Sequence, residues 1–329
     1  MASRASDWEG VRLHVVSGKG GTGKTTVAAA LALALAGHGR RTLLVEVEAR
    51  QGIAQLFDVP PLPYEERKVA GGRGGGDVFA LAVDPEAALL EYLDMFYKLG
   101  RAGRGLRRIG AIDFATTIAP GMRDVLITGK LYEAVRRKRE GRPVYDAVVL
   151  DAPPSGRIAR FLGVNQEVAG LAKMGPIRGQ ADSIMGLLTS PQTAVHLVTL
   201  LEEMPVQETC DAIEELTKAG LPVGAVIVNA VRAPMLKQSD LTAAAKGLLD
   251  PALIQGGLEA AGVAVKNGVV EALIDEAREH AVRVALEKAG RRTLKGLDRP
   301  TYELPLLAEG VDLGGLYALA ERLCQQGAA

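Results

Sequence analysis

Ser17-Gly18-Lys19-Gly20-Gly21-Thr22-Gly23-Lys24-Thr25-Thr26 is the stretch that decides the fold. It satisfies GxxxxGK[ST] and stands between an apolar β-branched run, Val11 to Val16, and a helical Ala/Leu-rich stretch. Strand, glycine loop and helix in that order is the context in which this pattern holds phosphate. The glycines permit torsions that a Cβ forbids, so successive N–H groups converge on an anion at the helix N-terminus. A helix end alone contributes only about 0.3 to 2 kcal/mol. A polyphosphate therefore also needs the Lys24 ammonium near its β- and γ-phosphates and the Thr25 hydroxyl on Mg2+. Gly18, Lys19, Gly20, Gly21, Thr22, Gly23, Lys24, Thr25 and Thr26 are the candidate binding residues.

Six further apolar runs share the character of the first: Thr42 to Val47, Val78 to Val83, Tyr145 to Leu150, Val195 to Thr199, Val223 to Val228 and Thr301 to Leu304. They lack polar alternation and are followed by helical patterns, as parallel strands buried on both faces are. The expected fold is α/β of the P-loop NTPase kind: three αβα layers around a mostly parallel sheet of seven or eight strands. Segments 84–139, 163–192 and 231–300 are too long for simple crossovers and are expected to build an inserted helical subdomain within one domain, 11–329. Residues 1–10 read as a flexible polar tail, and Gly71 to Gly76 as a surface connector.

Lys+Arg 39 and Asp+Glu 39 cancel, so no global field draws the chain to nucleic acid, and nucleic acid is not an expected partner. The uncharged stretch from Thr25 to Arg40 falls short of the roughly 18 apolar residues of a membrane span, and no integral membrane segment is expected. No apolar signal region opens the chain. Cys210 and Cys324 are too few for a disulfide scaffold and too distant for a CxxC pair, so both read as small buried residues of a cytoplasmic protein. His14, His38, His196 and His280 are scattered along the chain and suggest no metal site.

Two features narrow the class. Lys19 turns the loop into GKGGTGKTT, which resembles the deviant Walker A of the SIMIBI class. Tyr145 to Leu150 ends in Asp151, where a carboxylate holds Mg2+ through its water shell. Asp151-Ala152-Pro153-Pro154-Ser155-Gly156-Arg157-Ile158-Ala159-Arg160-Phe161-Leu162 then resembles DTAPTGHTLRxL, the switch II signature of the ArsA/Get family. Ala119-Pro120-Gly121-Met122 is similar to that family's PG element and Gln207-Glu208-Thr209 to its ET helix. Val228-Asn229 resembles its adenine-contacting asparagine, and Leu304-Pro305-Leu306-Leu307 its late PLL loop. The pattern looks most like the Get-like ATPases of actinobacteria.

The resemblance implies a dimeric molecular switch that binds and hydrolyses Mg-ATP and couples ATP/ADP state to a helical subdomain that opens and closes on a client or partner. Lys19 is then catalytic in trans, reaching the partner's nucleotide as an arginine finger does, a role worth ~10^3 to 10^5 in rate where measured. Asn229 and Pro305 contact adenine. The implied partners are a second P-loop subunit, identical or paralogous, and a hydrophobic protein client, with the protein cytoplasmic or peripheral to a membrane through a partner.

The departures matter as much. The family's switch I reads DPAH, its aspartate polarising the attacking water, whereas this chain has Glu48-Ala49-Arg50-Gln51. Glu48 is the expected catalytic carboxylate, one methylene further out. A displacement of ~1 Å can cost ~10^2 in rate, so slow or partner-stimulated hydrolysis is expected. Glu46 is the alternative base, placed by strand alternation on the same face. Ala152 replaces a threonine and Arg157 a histidine. The interface CxxC for zinc and the clustered cysteines for arsenite are missing, so neither site is expected. The alternative is a weakly or non-hydrolysing regulatory subunit paired with a paralogous ATPase.

Overall fold

The computed structural model describes residues 8–48, 50–84, 86–88, 90, 121–171, 176–266 and 268–328. The run after the glycine loop forms α1 (Lys24–Leu35), in which every residue from Val27 to Leu35 is buried. A helix apolar all round must be enclosed. Here the sheet covers one side, and the C-terminal helix α10 (Leu313–Gln325) packs on another through Leu316, Leu319, Ala320 and Leu323.

The sheet has eight strands: β1 (Leu13–Gly18), β2 (Arg41–Glu46), β3 (Arg67–Gly71), β4 (Asp77–Ala82), β7 (Ala147–Asp151), β8 (Thr193–Thr199), β9 (Val223–Val231) and β10 (Thr301–Pro305), with β5 (Lys138–Arg139) and β6 (Arg142–Pro143) as a separate short hairpin. Their order is β10-β9-β8-β1-β7-β2-β4-β3, and every pair but β3 with β4 is parallel. All seven strands expected from apolar runs are present. The eighth, β3, escapes that reading because RKVAG has no apolar run and lies largely exposed, with Arg67 and Lys68 guarding a sheet edge. Gly71 to Gly76, expected as a surface connector, is the largely exposed turn that returns β3 to β4. Gly72 N–H donates to Gly76 O at 2.7 Å, and a Cβ on Gly76 would stand 1.8 Å from Ala36 O, so the turn is pressed against the end of α1.

The described residues also form the helices α2 (Gly52–Leu56), α3 (Met122–Arg136), α4 (Ser155–Leu171), α5 (Pro176–Leu188), α6 (Glu203–Lys218), α7 (Gln238–Ala245), α8 (Pro251–Ala260) and α9 (Val269–Lys295). One face of the sheet is covered by α3, α4, α5 and α6 through Ile127, Phe161, Leu187 and Leu216; the other by α1, α2 and α10. Each fully buried Leu, Ile or Phe contributes about 1.5 to 3 kcal/mol. Helices α7 and α9 share a small core of Leu241, Ala244 and Ala281, while α8 buries no residue. The Arg291 guanidinium on α9 reaches Glu303 on β10 at 2.7 Å and pins that arm to the sheet edge.

Trp8, inside the stretch read as tail, stacks on His196 at 4.7 Å between centroids and donates to Tyr302 Oη at 2.8 Å. His14 and His196 are also together, because β1 and β8 are neighbours; their rings stack at 5.4 Å. Cys324 is exposed rather than buried, since it sits on the outer face of α10. Residues 91–120, which include much of the expected helical segment 84–139 and Ala119-Pro120 of the PG element, lie outside the described residues. Among the described residues no helix is long and apolar enough to cross a membrane.

Candidate nucleotide site

β1 stands at the point where the chain turns to opposite sides of the sheet, toward β7 and β2 on one side and β8 on the other. In open α/β sheets the crevice beyond the strand C-termini at such a point is the binding site. The glycine loop occupies it. Gly18 has φ +150, and a Cβ there would meet Val198 O at 2.1 Å; Gly23, at φ +84, would put a Cβ 2.3 Å from Asn229 Nδ2. Only glycine fits either position. At Gly20 and Gly21 a Cβ would meet nothing within 4 Å, so the loop's outer face is open.

The loop is braced from within. Thr22 Oγ1 donates to Lys19 O at 2.8 Å, Lys24 Nζ lies 3.5 Å from the same oxygen, and Asn229 Nδ2 donates to Thr22 O at 2.9 Å. Ser17 Oγ donates to Pro153 O at 2.6 Å, tying the end of β1 to the segment after β7. Thr26 is half-buried in the first turn of α1. Thr25 Oγ1 donates to Asp151 Oδ2 at 2.7 Å, so the two candidate Mg2+ residues are in direct contact. Burial pushes the Asp151 carboxyl up to about 6; the Thr25 bond and the Lys24 charge oppose this, and the fields of Glu46 and Glu48 add to it. An all-oxygen pair beside an ammonium and an open glycine cradle fits a magnesium-bound polyphosphate, which needs hard oxygen ligands and converging donors.

The two acids of the switch I region separate clearly. β2 ends at Glu46, so strand alternation does not extend to Glu48, and the two do not share a strand face. Glu46 is buried and accepts from the N–H groups of Gly52 at 3.2 Å and Ile53 at 3.4 Å, capping α2. Each of its two carboxylate oxygens holds one of these N–H groups. Glu48 is half-buried, with its carboxylate 3.5 Å from Arg50. The Arg123 guanidinium donates to Val47 O, tethering this bend to α3.

Lys19 is 2.7 Å from Glu208 on α6 of its own chain, a partner that sequence reasoning did not assign. The two residues are far apart in the chain, and only the strand order brings them together. Beyond Asn229 lies a cavity of about 200 Å³ lined by Leu201, Asn229, Val231 and Leu306. Pro305 is exposed at the end of β10 and does not line it; its neighbour Leu306 does.

A glycine loop at the switch point of a mostly parallel sheet, with Lys24, Thr25 and Asp151 converging on it, defines a P-loop NTPase. The family model described as "Anion-transporting ATPase" matches residues 11–191. ATPase BagA of Mycobacterium tuberculosis (strain ATCC 25618 / H37Rv) is 58% identical over 319 residues, 97% of this chain and 94% of that protein. ATPase GET3 of Kluyveromyces lactis is 26% identical over 249 residues, 65% of this chain and 70% of the relative. A putative arsenical pump-driving ATPase of Aquifex aeolicus is 32% identical over 160 residues, 47% and 38% of the two chains. This chain belongs to the anion-transporting ATPase (ArsA) family and is a nucleotide-binding ATPase of that family.

Proposed function

We propose that the chain is a Mg-ATP-driven dimeric switch, in which closure of two subunits around nucleotide is coupled to its helical elements and through them to a partner or hydrophobic client. The observation that carries this reading is the convergence of Lys24, Thr25 and Asp151 on the loop, with a second lysine, Lys19, standing apart from them on Glu208. Loop N–H groups from Gly20 to Thr25 orient the phosphates, and Lys24 offsets their charge. Mg2+, when bound, would supply positive charge to offset that of the phosphates. Thr25 and, through water, Asp151 would hold it. Lys19 leaves Glu208 and completes the neighbouring subunit's site. Glu48 orients the attacking water.

The pairing of Glu48 with Arg50 and the commitment of Glu46 to capping α2 support slow hydrolysis that a partner stimulates by freeing Glu48. The same observation favours, as second reading, a regulatory subunit that hydrolyses weakly beside a paralogue. Cytoplasmic residence, with membrane contact only through a partner, completes the proposal.

Phosphate-release assays on wild type, Lys24→Ala and Glu48→Gln test it. Lys24→Ala is expected at background, and Glu48→Gln to bind ATP normally while hydrolysing it ~10^2-fold or more slowly, the scale of a lost general base. Wild type indistinguishable from Lys24→Ala, alone and with candidate partners, ends the switch reading.

A further inference from the structure

The cavity beyond Asn229 has a wall that the phosphate loop does not explain. Asn229 is shared: its amide backs Gly23 and Thr22 and it also lines the cavity, so the cavity adjoins the phosphate loop. Ala230, the next residue, holds φ +52, in the left-handed region that non-glycine residues seldom occupy. Leu201, Val231 and Leu306 supply apolar surface.

The same cavity is also lined by Arg283 and Glu287 of α9, well beyond the 11–191 stretch the family model matches. Arg283 is only partly satisfied by its own chain, its side chain 40% exposed and its Nη2 2.5 Å from His280 Nδ1. Its Nε is buried, finds no hydrogen-bond partner among the described residues and stands 4.0 Å from Glu287 Oε1. Its Nη2 faces His280 Nδ1, yet His280 Nε2 already accepts from the Met235 N–H. A neutral imidazole has one acceptor nitrogen, so both contacts cannot be good hydrogen bonds at once. Glu287 is meanwhile drawn to Arg291 at 3.7 Å, which is itself held by Glu303.

We infer that Arg283 is a base-binding residue: its guanidinium, delivered by α9, packs on the heterocycle of the bound nucleotide opposite Leu201 and Leu306. The inference rests on the phosphate-loop reading and adds to it a contact from the α7 to α9 arm, so that occupancy by nucleoside, not by phosphate alone, is felt in that arm. A guanidinium is suited to this because it stacks on π faces and is weakly hydrated.

Calorimetric titration of the full chain with Mg-ATP and with Mg-tripolyphosphate tests it, using wild type, Arg283→Ala and Arg283→Lys. Arg283→Ala is expected to weaken ATP about 10-fold, the scale of a lost desolvated cation–π contact, and to leave tripolyphosphate unchanged, with Arg283→Lys in between. Unchanged ATP affinity, or equal weakening of both ligands, overturns the inference. Should Arg283→Ala not fold, the same comparison is made on Arg283→Lys. Binding of neither ligand to wild type overturns the phosphate-loop reading itself and this inference with it, whereas binding of tripolyphosphate as tight as that of ATP removes only the base contact.

Discussion

Lys19 and Glu208 show how one ion pair can set a threshold. Both side chains are about one-third exposed, at 34% and 35%, so the pair is worth at most about 1 kcal/mol after solvent screening. That energy opposes any assembly in which Lys19 must leave its own subunit. Glu208→Ala is therefore expected to strengthen ATP-dependent dimerisation, by no more than about five-fold for each Lys19 released and so about 30-fold where both subunits release one, while Lys19→Ala abolishes it. Sedimentation with a non-hydrolysable ATP analogue reads both, and a Lys19→Ala variant that dimerises like wild type would dismiss the role in trans. The nine loop residues and Asp151 were legible in the sequence because their chemistry is contiguous or ends a strand. Glu208 was legible only as part of a resemblance, and Arg283 not at all, since each depends on contacts between distant segments. The Glu46 and Glu48 assignment needed the strand's true end, which alternation alone cannot locate.

Among the elements, α1 and the β3–β4 turn are coupled at the end of the sheet away from the phosphate loop. Gly76 packs under the last carbonyls of the α1 segment, where a methyl group would collide with Ala36 O and with Arg40 O at 2.4 Å. Gly76→Ala is expected to destabilise the fold by about 1 to 3 kcal/mol, the usual cost of overpacking, without altering nucleotide affinity. Urea denaturation alongside nucleotide titration checks it; an unchanged midpoint would mean that the turn moves away freely. The seven apolar strands and the enclosed Ala/Leu helix could be read from pattern, because burial on both faces removes polar residues wholesale. The edge strand could not, because its exposure and its two cations erase that signal.

Across the whole molecule, the strand order assembles a buried aromatic group from residues that look unrelated along the chain. The Ala225 N–H donates to His196 Nδ1 at 3.1 Å, so the ring proton of neutral His196 lies on Nε2 and is given to His14 Nδ1. The His14 proton is then on Nε2, which has no hydrogen-bond partner among the described residues. Burial holds His14 down to about 3 and His196 well below its ordinary value. An imidazole in the unfolded chain titrates near 6.5, so protons bind the unfolded state preferentially below that pH. The stability is complete above about pH 6.5 and is lost as pH falls toward the folded values, with a slope of up to about 1.4 kcal/mol per pH unit per imidazole. Denaturation midpoints from pH 8 to 5 should show this fall, and His14→Leu should flatten it by about one proton even though it lowers stability at every pH. An equal slope in wild type and variant would rule the pair out as its source.

Trp8 closes that group from the amino-terminal side, stacking on both imidazoles and hydrogen-bonding to Tyr302 on the far edge strand. A recombinant version begun after this tryptophan would open the imidazoles to water and give them back their ordinary basicity. Purification handles on this protein therefore belong upstream of Trp8, and a version lacking that residue would have an altered acid tolerance.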